Sequence, residues 1–257
     1  MISRLVPAQG QIGVSMPNPY FQFKQFTIYH DRCAMKVTTD TCLFGSWCAE
    51  DINANTNSDN EINLFEIGTG SGLLSLMVAQ KTNCIIDAIE IDEEAAQQAE
   101  ENIFASPWKE RITVHNEDVL QFNFLKPYDI ILSNPPFYEN ELSSGNKKKD
   151  TAHHGEGLRL EALVQLIKQY LNPSGCFYLL LPFKRIVEAE SILEKEELFI
   201  NKKLIVHQSI AHQPFRVIIK GGHDQQVKQE QQIFITGDNG KYTKEFTTLL
   251  QEYYLYL

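Results

Sequence analysis

The sequence predicts an α/β fold, a seven-stranded, mainly parallel, doubly wound sheet with an antiparallel edge and a short N-terminal extension. Apolar segments of strand length alternate with helical segments from residue 62 to residue 198, which is typical of a parallel sheet covered on both faces. Three strand-like segments then follow one another with no helix between them, which indicates hairpins at one sheet edge. The 257 residues, 43% of them hydrophobic, suffice for one large domain.

The alternating elements are predicted in order from their apolar spacing. Strands are expected at 62–67, 84–91, 112–118, 128–134 and 176–182, and helices at 72–81, 92–105, 158–171 and 185–198. The second of these helices has acids in its first turn, where the helix dipole favours them, and the third is expected to end at "NPSG". The late strands are "KLIVHQSI", "FRVIIK" and "QQIFIT", and residues 242–257 are expected to form a helix that packs back.

The chain divides at about residue 50. Residues 1–50 are expected to form an extension that packs on the cofactor site, and residues 51–257 the main domain. The extension starts with a proline-containing stretch and ends in the apolar segment "CLFGSWCAE", which predicts a helix. The polar run 51–61 is expected to be a loop.

Composition excludes several classes of protein. A net charge of −10 argues against non-specific coating of nucleic acid. No apolar run approaches the roughly 20 residues that cross a bilayer, and the N-terminus lacks the apolar core of a signal peptide. The five cysteines form no CxxC pair. We therefore expect a cytoplasmic protein with no membrane segment, reduced thiols and no metal site.

The strongest motif is the glycine turn "EIGTGSG", Glu66 to Gly72, between a predicted strand and a predicted helix. Gly68, Gly70 and Gly72 allow a tight turn and a close approach of a ligand to the backbone. Glu90 ends the next strand, where a carboxylate can accept both hydroxyls of a ribose. The motif therefore predicts a nucleotide-like cofactor at the carboxyl ends of these strands.

The G-x-G-x-G spacing with a preceding acid resembles the class I S-adenosylmethionine-dependent methyltransferases, which have a seven-stranded Rossmann-like sheet. The resemblance implies that Glu66 and the three glycines hold the methionine part of S-adenosyl-L-methionine. It also implies that Glu90 holds the ribose and that Asp118, at the end of the third strand, lies near the adenine amino group. A simple turn at the strand end is the alternative interpretation of Asp118.

The stretch "SNPPF" follows the fourth predicted strand, beside the glycine turn at the topological switch point. An aromatic amine is a poor nucleophile because its lone pair is delocalised into the ring. The Asn134 side-chain oxygen and the Pro135 carbonyl can accept its two hydrogens and direct the lone pair, and the prolines keep these acceptors rigid. Phe137 can stack on the base. We predict that Asn134, Pro135 and Phe137 are catalytic, and that Asn134 also contacts the cofactor.

The segment "DRCAMKVTTDTCLFGSW" narrows the resemblance to the tRNA1(Val) (adenine-37-N6)-methyltransferases, as do "NPPF", "TAHHGEGLRLEAL", "HQPFRVIIK" and the tail. This resemblance covers nearly the whole chain and implies tRNA as the partner. It also implies that Lys36, Thr39 and Asp40 line the cofactor entrance. Capping of the following helix is the alternative role for Thr39 and Asp40.

Two alternatives remain open from the residues. One is an amino-methyltransferase that acts on rRNA or on a protein glutamine. The other is a methyltransferase-like protein that only binds RNA, against which the intact Glu66, Glu90, Asn134 and Phe137 argue. The expected oligomeric state is a monomer.

Overall fold

A computed structural model describes residues 18–55, 61–135 and 158–257. The amino-terminal part forms two short antiparallel strands and a long helix, β1 (Tyr20–Gln22), β2 (Thr27–Tyr29) and α1 (Thr39–Asn55). Five elements with regular alternation and a further strand follow: β3 (Asn63–Ile67), α2 (Leu73–Lys81), β4 (Ile85–Glu90), α3 (Glu93–Phe104), β5 (Ile112–Asn116) and β6 (Tyr128–Ser133). The remainder comprises α4 (Leu160–Tyr170), β7 (Leu171–Pro182), α5 (Ile186–Lys195), β8 (Phe199–Ser209), β9 (Pro214–Gly222), β10 (Gln229–Thr236) and α6 (Lys244–Leu250).

The main sheet has the strand order β10-β8-β9-β7-β6-β3-β4-β5. The five strands from β7 to β5 are parallel, and β9 runs antiparallel to both of its neighbours, β7 and β8. The predicted α/β fold with a mainly parallel sheet and an antiparallel edge is confirmed. The chain moves outward in one direction through β3, β4 and β5, and in the other through β6 and β7. The carboxyl ends of β3 and β6 therefore flank the crevice where such sheets bind ligands.

The main sheet has eight strands, one more than the seven predicted. The last of the predicted strands, β10, pairs in parallel with β8 and forms no hairpin with β9. The reason is the position of β8, which lies between β9 and β10 and takes the hydrogen bonds of both. The predicted series of edge hairpins is thus one hairpin, β8–β9, followed by a strand on its outer side.

Three element boundaries differ from the predictions. Helix α1 runs to Asn55, so the first residues of the predicted loop 51–61 are helical. The helix also runs without a break through residue 50, at which the extension is predicted to end. The "NPSG" stretch belongs to β7, because the chain enters that strand as soon as α4 ends and Leu171 pairs with Tyr128. The last helix ends at Leu250, after which the chain turns and pairs with Phe23 and Lys24, between β1 and β2.

Two apolar cores cover the two faces of the sheet. Alternate residues of β3 show the division, because Leu64 packs with α1, α2 and α6 while Phe65 packs with α4 and α5. Both side chains are fully buried. This alternation is the period of two that a strand imposes on its side chains. Helices on both faces leave the carboxyl edge of the sheet as the place where polar side chains gather.

Candidate active site

The glycine turn connects β3 to α2 with three residues in the left-handed region. Gly68, Gly70 and Gly72 have φ angles of 74°, 55° and 81°, which residues with a side chain rarely adopt. A Cβ on Gly72 would lie 3.3 Å from the Ile103 side chain of α3, so this glycine also permits close packing. A Cβ on Gly68 or Gly70 would meet no atom of the described residues within 4 Å. The backbone of these two residues therefore borders open space in which a ligand can lie.

Glu66, at the carboxyl end of β3, is a fully buried acid with one uncommitted oxygen. Its Oε2 accepts a hydrogen bond from the Ser75 hydroxyl of α2, whereas Oε1 has no hydrogen-bond partner among the described residues. Burial raises the pKa of this carboxyl to about 7, although the Ser75 bond opposes the shift. A buried unsatisfied acceptor is costly. It fits the ammonium of an amino-acid moiety, such as the methionine part of S-adenosyl-L-methionine.

The raised pKa of Glu66 predicts a pH-dependent cost to the protein without its cofactor. The folded protein holds the proton to about pH 7, whereas the unfolded chain releases it near 4.5, so Glu66 lowers stability as pH rises through this window. We expect the unfolding free energy of Glu66→Gln, relative to the native protein, to rise between pH 5 and pH 7 by about 2 kcal/mol. Urea titrations at each pH measure it. If the difference in unfolding free energy between the two proteins did not change with pH, the raised pKa of Glu66 would be wrong.

Glu90, at the end of β4, ties the glycine turn to the neighbouring strand. Its Oε2 accepts a hydrogen bond from the Gly70 N–H at 2.8 Å, and its Oε1 accepts one from the Asp92 N–H at 3.0 Å. A carboxylate oxygen can accept more than one hydrogen bond, so both oxygens keep lone pairs for ligand hydroxyls. Glu90 is partly exposed, in contrast to the buried Glu66. The arrangement suits a ribose that approaches from the open side of the turn.

Asp118 lies just beyond β5, next in the row of strand ends. Its Oδ1 accepts a hydrogen bond from the Leu120 N–H at 2.9 Å, which is the turn-forming role considered for it. Val119 beside it is buried, with 8% of its surface exposed, and packs with the core under α4. Asn116, at the end of β5, donates to the Glu90 carbonyl at 3.0 Å. A contact between Asp118 and the adenine amino group stays a prediction.

The predicted acceptor motif "NPPF", which starts at Asn134, follows the end of β6. Strand β6 pairs with β3 in the sheet. The buried Ser133 hydroxyl donates to the Ile67 carbonyl at 2.8 Å and so holds the ends of the two strands together. Asn134 and Pro135 follow directly, on the side of the glycine turn. Phe137 lies outside the described residues, so its stacking role stays a prediction. Asn134 and Pro135 thus lie at the carboxyl edge where Glu66 and Glu90 also end their strands.

The two charged residues predicted at the cofactor entrance lie before and within α1. Lys36 is exposed. Asp40, in the first turn of α1, accepts a hydrogen bond from Arg216 Nε of β9 at 2.8 Å. The first backbone hydrogen bond of the helix runs from the Cys42 N–H to the Thr38 carbonyl at 3.0 Å, and a capping role for Thr39 or Asp40 stays a prediction. Arg216 was singled out in the sequence only as part of "HQPFRVIIK", and nothing local indicated Asp40 as its partner.

Two buried amides of α3 hold the residues that precede α1. Gln98 accepts from the Arg32 N–H at 3.0 Å and donates to Asp31 at 2.7 Å. The Cys33 thiol also lies 3.3 Å from Gln98 Oε1. Burial raises the pKa of this thiol to about 11, and the charge of Glu90 adds to the shift. Sequence analysis missed Gln98, whose only signal was an amide on the apolar face of α3.

Asn102, one turn further along α3, bonds to both the N-terminal strands and the glycine turn. It accepts from the Tyr29 N–H at 3.0 Å, and it donates to the carbonyls of Tyr29 at 2.8 Å and Ser71 at 2.9 Å. Only 2% of its surface is exposed. These bonds make the amide a fixed link between β2 and the glycine turn.

We expect Asn102→Ala to lower the unfolding free energy by about 2–3 kcal/mol, because it leaves buried backbone groups of Tyr29 and Ser71 without partners. Urea denaturation measures the loss. Gln97→Ala is the matched control, since Gln97 is an exposed amide on the same helix and its substitution should cost well under 1 kcal/mol. Equal losses in the two variants would contradict the linking role of Asn102.

Metal-binding clusters and membrane-spanning helices do not occur in the described part of the chain. Within residues 18–55, 61–135 and 158–257, no group of His, Cys, Asp or Glu side chains is arranged to hold a metal ion. The described helices include none with the length and apolar character needed to cross a membrane.

Comparisons with known proteins agree with this geometry. The family model "Methyltransferase small domain" matches residues 52–208. The tRNA1(Val) (adenine(37)-N6)-methyltransferase of Phocaeicola vulgatus is 37% identical over 242 residues, which cover 93% of this chain and 99% of that protein. The protein of the same name from Cytophaga hutchinsonii is 37% identical over 253 residues, with coverages of 94% and 100%.

Solved structures support the fold alone. A predicted O-methyltransferase from Agrobacterium tumefaciens superposes with a TM-score of 0.62 at 11% identity, covering 82% of this chain and 95% of that one. The magnesium protoporphyrin IX methyltransferase of Synechocystis gives 0.53 at 14% identity, with coverages of 72% and 80%. The family predicted from the sequence is confirmed by relatives that match this chain over nearly its full length. The chain belongs to the tRNA1(Val) (adenine(37)-N6)-methyltransferase family.

Proposed function

We propose that this protein transfers a methyl group from S-adenosyl-L-methionine to the exocyclic N6 amine of an adenine in tRNA, adenosine 37 of tRNA1(Val). One observation carries the proposal: the Asn134–Pro135 pair lies at the carboxyl end of β6, next to the strand that leads into the glycine turn. In this proposal the acids at the strand ends, Glu66, Glu90 and Asp118, face the cofactor. Asn134 and Pro135 face the base. Family membership supports the identity of the substrate.

The residues present fit S-adenosyl-L-methionine. Glu66 Oε1 is a buried acceptor with no partner among the described residues, and it would hold the ammonium of the methionine part. Gly68 and Gly70 leave open space for that part, and Glu90 would accept the ribose hydroxyls. When bound, the cofactor supplies an electrophilic methyl group. The described part of the 1–50 extension would pack beside this site, since Asn102 bonds both to Tyr29 of β2 and to Ser71 of the glycine turn.

The chain's own part in the reaction is to orient the amine. Asn134 Oδ1 and the Pro135 carbonyl would each accept one N6 hydrogen, which directs the nitrogen lone pair away from both acceptors. Phe137 would stack on the ring, a contact worth about 1–3 kcal/mol per base. A base inside a stacked anticodon loop has to be extruded to reach the motif. The extra proton leaves the nitrogen after the methyl arrives, so the site needs no strong general base.

Transfer of labelled methyl to unmodified tRNA1(Val) tests the proposal. We expect N6-methyladenosine at position 37, and no label in a transcript with guanosine at that position. Total rRNA and total protein serve as competing acceptors in parallel reactions. Label in rRNA or in protein glutamine instead of tRNA would overturn the substrate. Absence of both transfer and cofactor binding by calorimetry would overturn the assignment as an enzyme.

A further inference from the structure

The Asn134 side chain is held from across the crevice by the first turn of α1. Its Nδ2 donates a hydrogen bond to Thr41 Oγ1 at 3.3 Å. Thr41 Oγ1 in turn lies 2.8 Å from the Thr38 hydroxyl, one turn earlier. Thr41 lies within the segment "DRCAMKVTTDTCLFGSW", but nothing in that segment marked it as a partner of Asn134, which is 93 residues away in the chain. The contact therefore joins the end of β6 to helix α1, which lies outside the main sheet.

The polarity of this contact matters because an amide group has two nearly isosteric orientations. A rotation of 180° exchanges the oxygen and the NH2 group of asparagine, and only one orientation presents an acceptor to an amine. The other would set NH2 against the N6 hydrogens, donor against donor. When the Thr41 hydrogen is directed to Thr38, Thr41 offers only lone pairs to Asn134. It then accepts from NH2 and leaves Oδ1 for the base.

The support for Thr41 is rigid. The residues that follow it in α1, Cys42, Leu43 and Phe44, have no exposed surface, and the helix packs along α2. A threonine side chain in a helix has few accessible rotamers, and the neighbouring hydroxyl of Thr38 restricts it further. A hydroxyl fixed in this way restrains the amide at little entropic cost when the base arrives.

We propose that Thr41 is a positioning residue for methyl transfer, which orients the Asn134 amide so that Oδ1 faces the acceptor amine. The proposal rests on the proposed function, in which Asn134 contacts N6. Thr41 itself touches neither the base nor the reacting methyl group. Its contribution should therefore appear in the rate of the methyl-transfer step and not in the affinity for cofactor.

The test compares Thr41→Val with Thr41→Ser. Valine keeps the shape of threonine and removes the hydroxyl, so the amide loses its restraint. We expect the single-turnover rate on tRNA1(Val) to fall about tenfold or more, with the KM for tRNA and the calorimetric affinity for S-adenosyl-L-methionine within about twofold of the native protein. Serine keeps the hydroxyl and should retain at least half of the native rate.

Controls separate this role from a structural one. Thr248→Val makes the same change on an exposed position of α6 and should leave the rate unchanged. Thermal unfolding confirms that each variant is folded, and Thr41→Ala replaces the valine variant if that one is not. A native rate in Thr41→Val, or an equal loss in Thr41→Ser, would overturn the positioning role. If the native protein itself transfers no methyl to tRNA, the proposed function fails and not this inference alone.

Discussion

Asn134→Ala is expected to lower the single-turnover rate of methyl transfer to tRNA about a thousandfold, the largest effect of any single change. The amide oxygen is one of only two acceptors that the motif offers to N6, and its loss leaves the nitrogen lone pair undirected. Loss of one preorganised hydrogen-bonding group in an active site typically costs 10²–10³ in rate. Cofactor affinity should stay within about twofold, because Glu66, Glu90 and the glycine turn are unchanged.

Rapid mixing of excess enzyme with labelled cofactor and tRNA measures the rate, and calorimetry measures cofactor affinity. Asn123→Ala is the control, since Asn123 is an exposed amide in the segment before β6. A wild-type rate in Asn134→Ala would remove this residue from the reaction. A loss of cofactor affinity as large as the loss of rate would mean that Asn134 acts mainly through its predicted contact with the cofactor and not by orienting the acceptor amine.

The second large effect is expected for Glu90→Ala, which should weaken binding of S-adenosyl-L-methionine about a hundredfold. Hydrogen bonds to a charged group contribute about 1.5–3 kcal/mol each, and a ribose offers two hydroxyls. The substitution also removes the bonds to the Gly70 and Asp92 N–H groups, so the glycine turn loses its tie to β4. The rate at saturating cofactor should change little, because Glu90 is remote from the acceptor amine.

Calorimetric titration of the protein with cofactor tests this expectation, and a rate measured at saturating cofactor tests its second half. Glu110→Ala removes the same charge from an exposed position and should leave affinity unchanged. An unchanged affinity in Glu90→Ala would exclude it as the ribose acceptor. If Glu110→Ala weakened cofactor binding as much as Glu90→Ala, the effect would be due to the change in net charge.

Much of the fold and the glycine turn could be predicted because both depend on local patterns. Apolar strands that alternate with helices dictate a parallel sheet, and three glycines between a strand and a helix dictate the turn. Glu90 could be placed beside the turn because the carboxyl ends of consecutive parallel strands share one edge. The structure agrees, since Glu90 bonds to Gly70 across 20 residues of sequence.

The contacts that local patterns could not supply join residues distant in the chain. Arg216 meets Asp40 across 176 residues, and Asn134 meets Thr41 across 93. The position of β10 outside β8 has the same origin, because β-strand pairing depends on which edge is free when the strand arrives. Neither the helix or strand propensity of a residue nor a short motif indicates which distant residue will be its partner.

The sequence by itself determined the class of fold, the glycine turn, the two strand-end acids and the acceptor motif, since each follows from residue type and spacing within one strand–turn–helix unit. Only the tertiary structure decided which side chains support them. Packing of α1 on α2 brings Thr41 to Asn134, and packing of α3 under the N-terminal strands brings Asn102 to the glycine turn and Gln98 to Asp31 and Arg32. Burial then determines which polar groups must find partners, and only the folded chain determines burial.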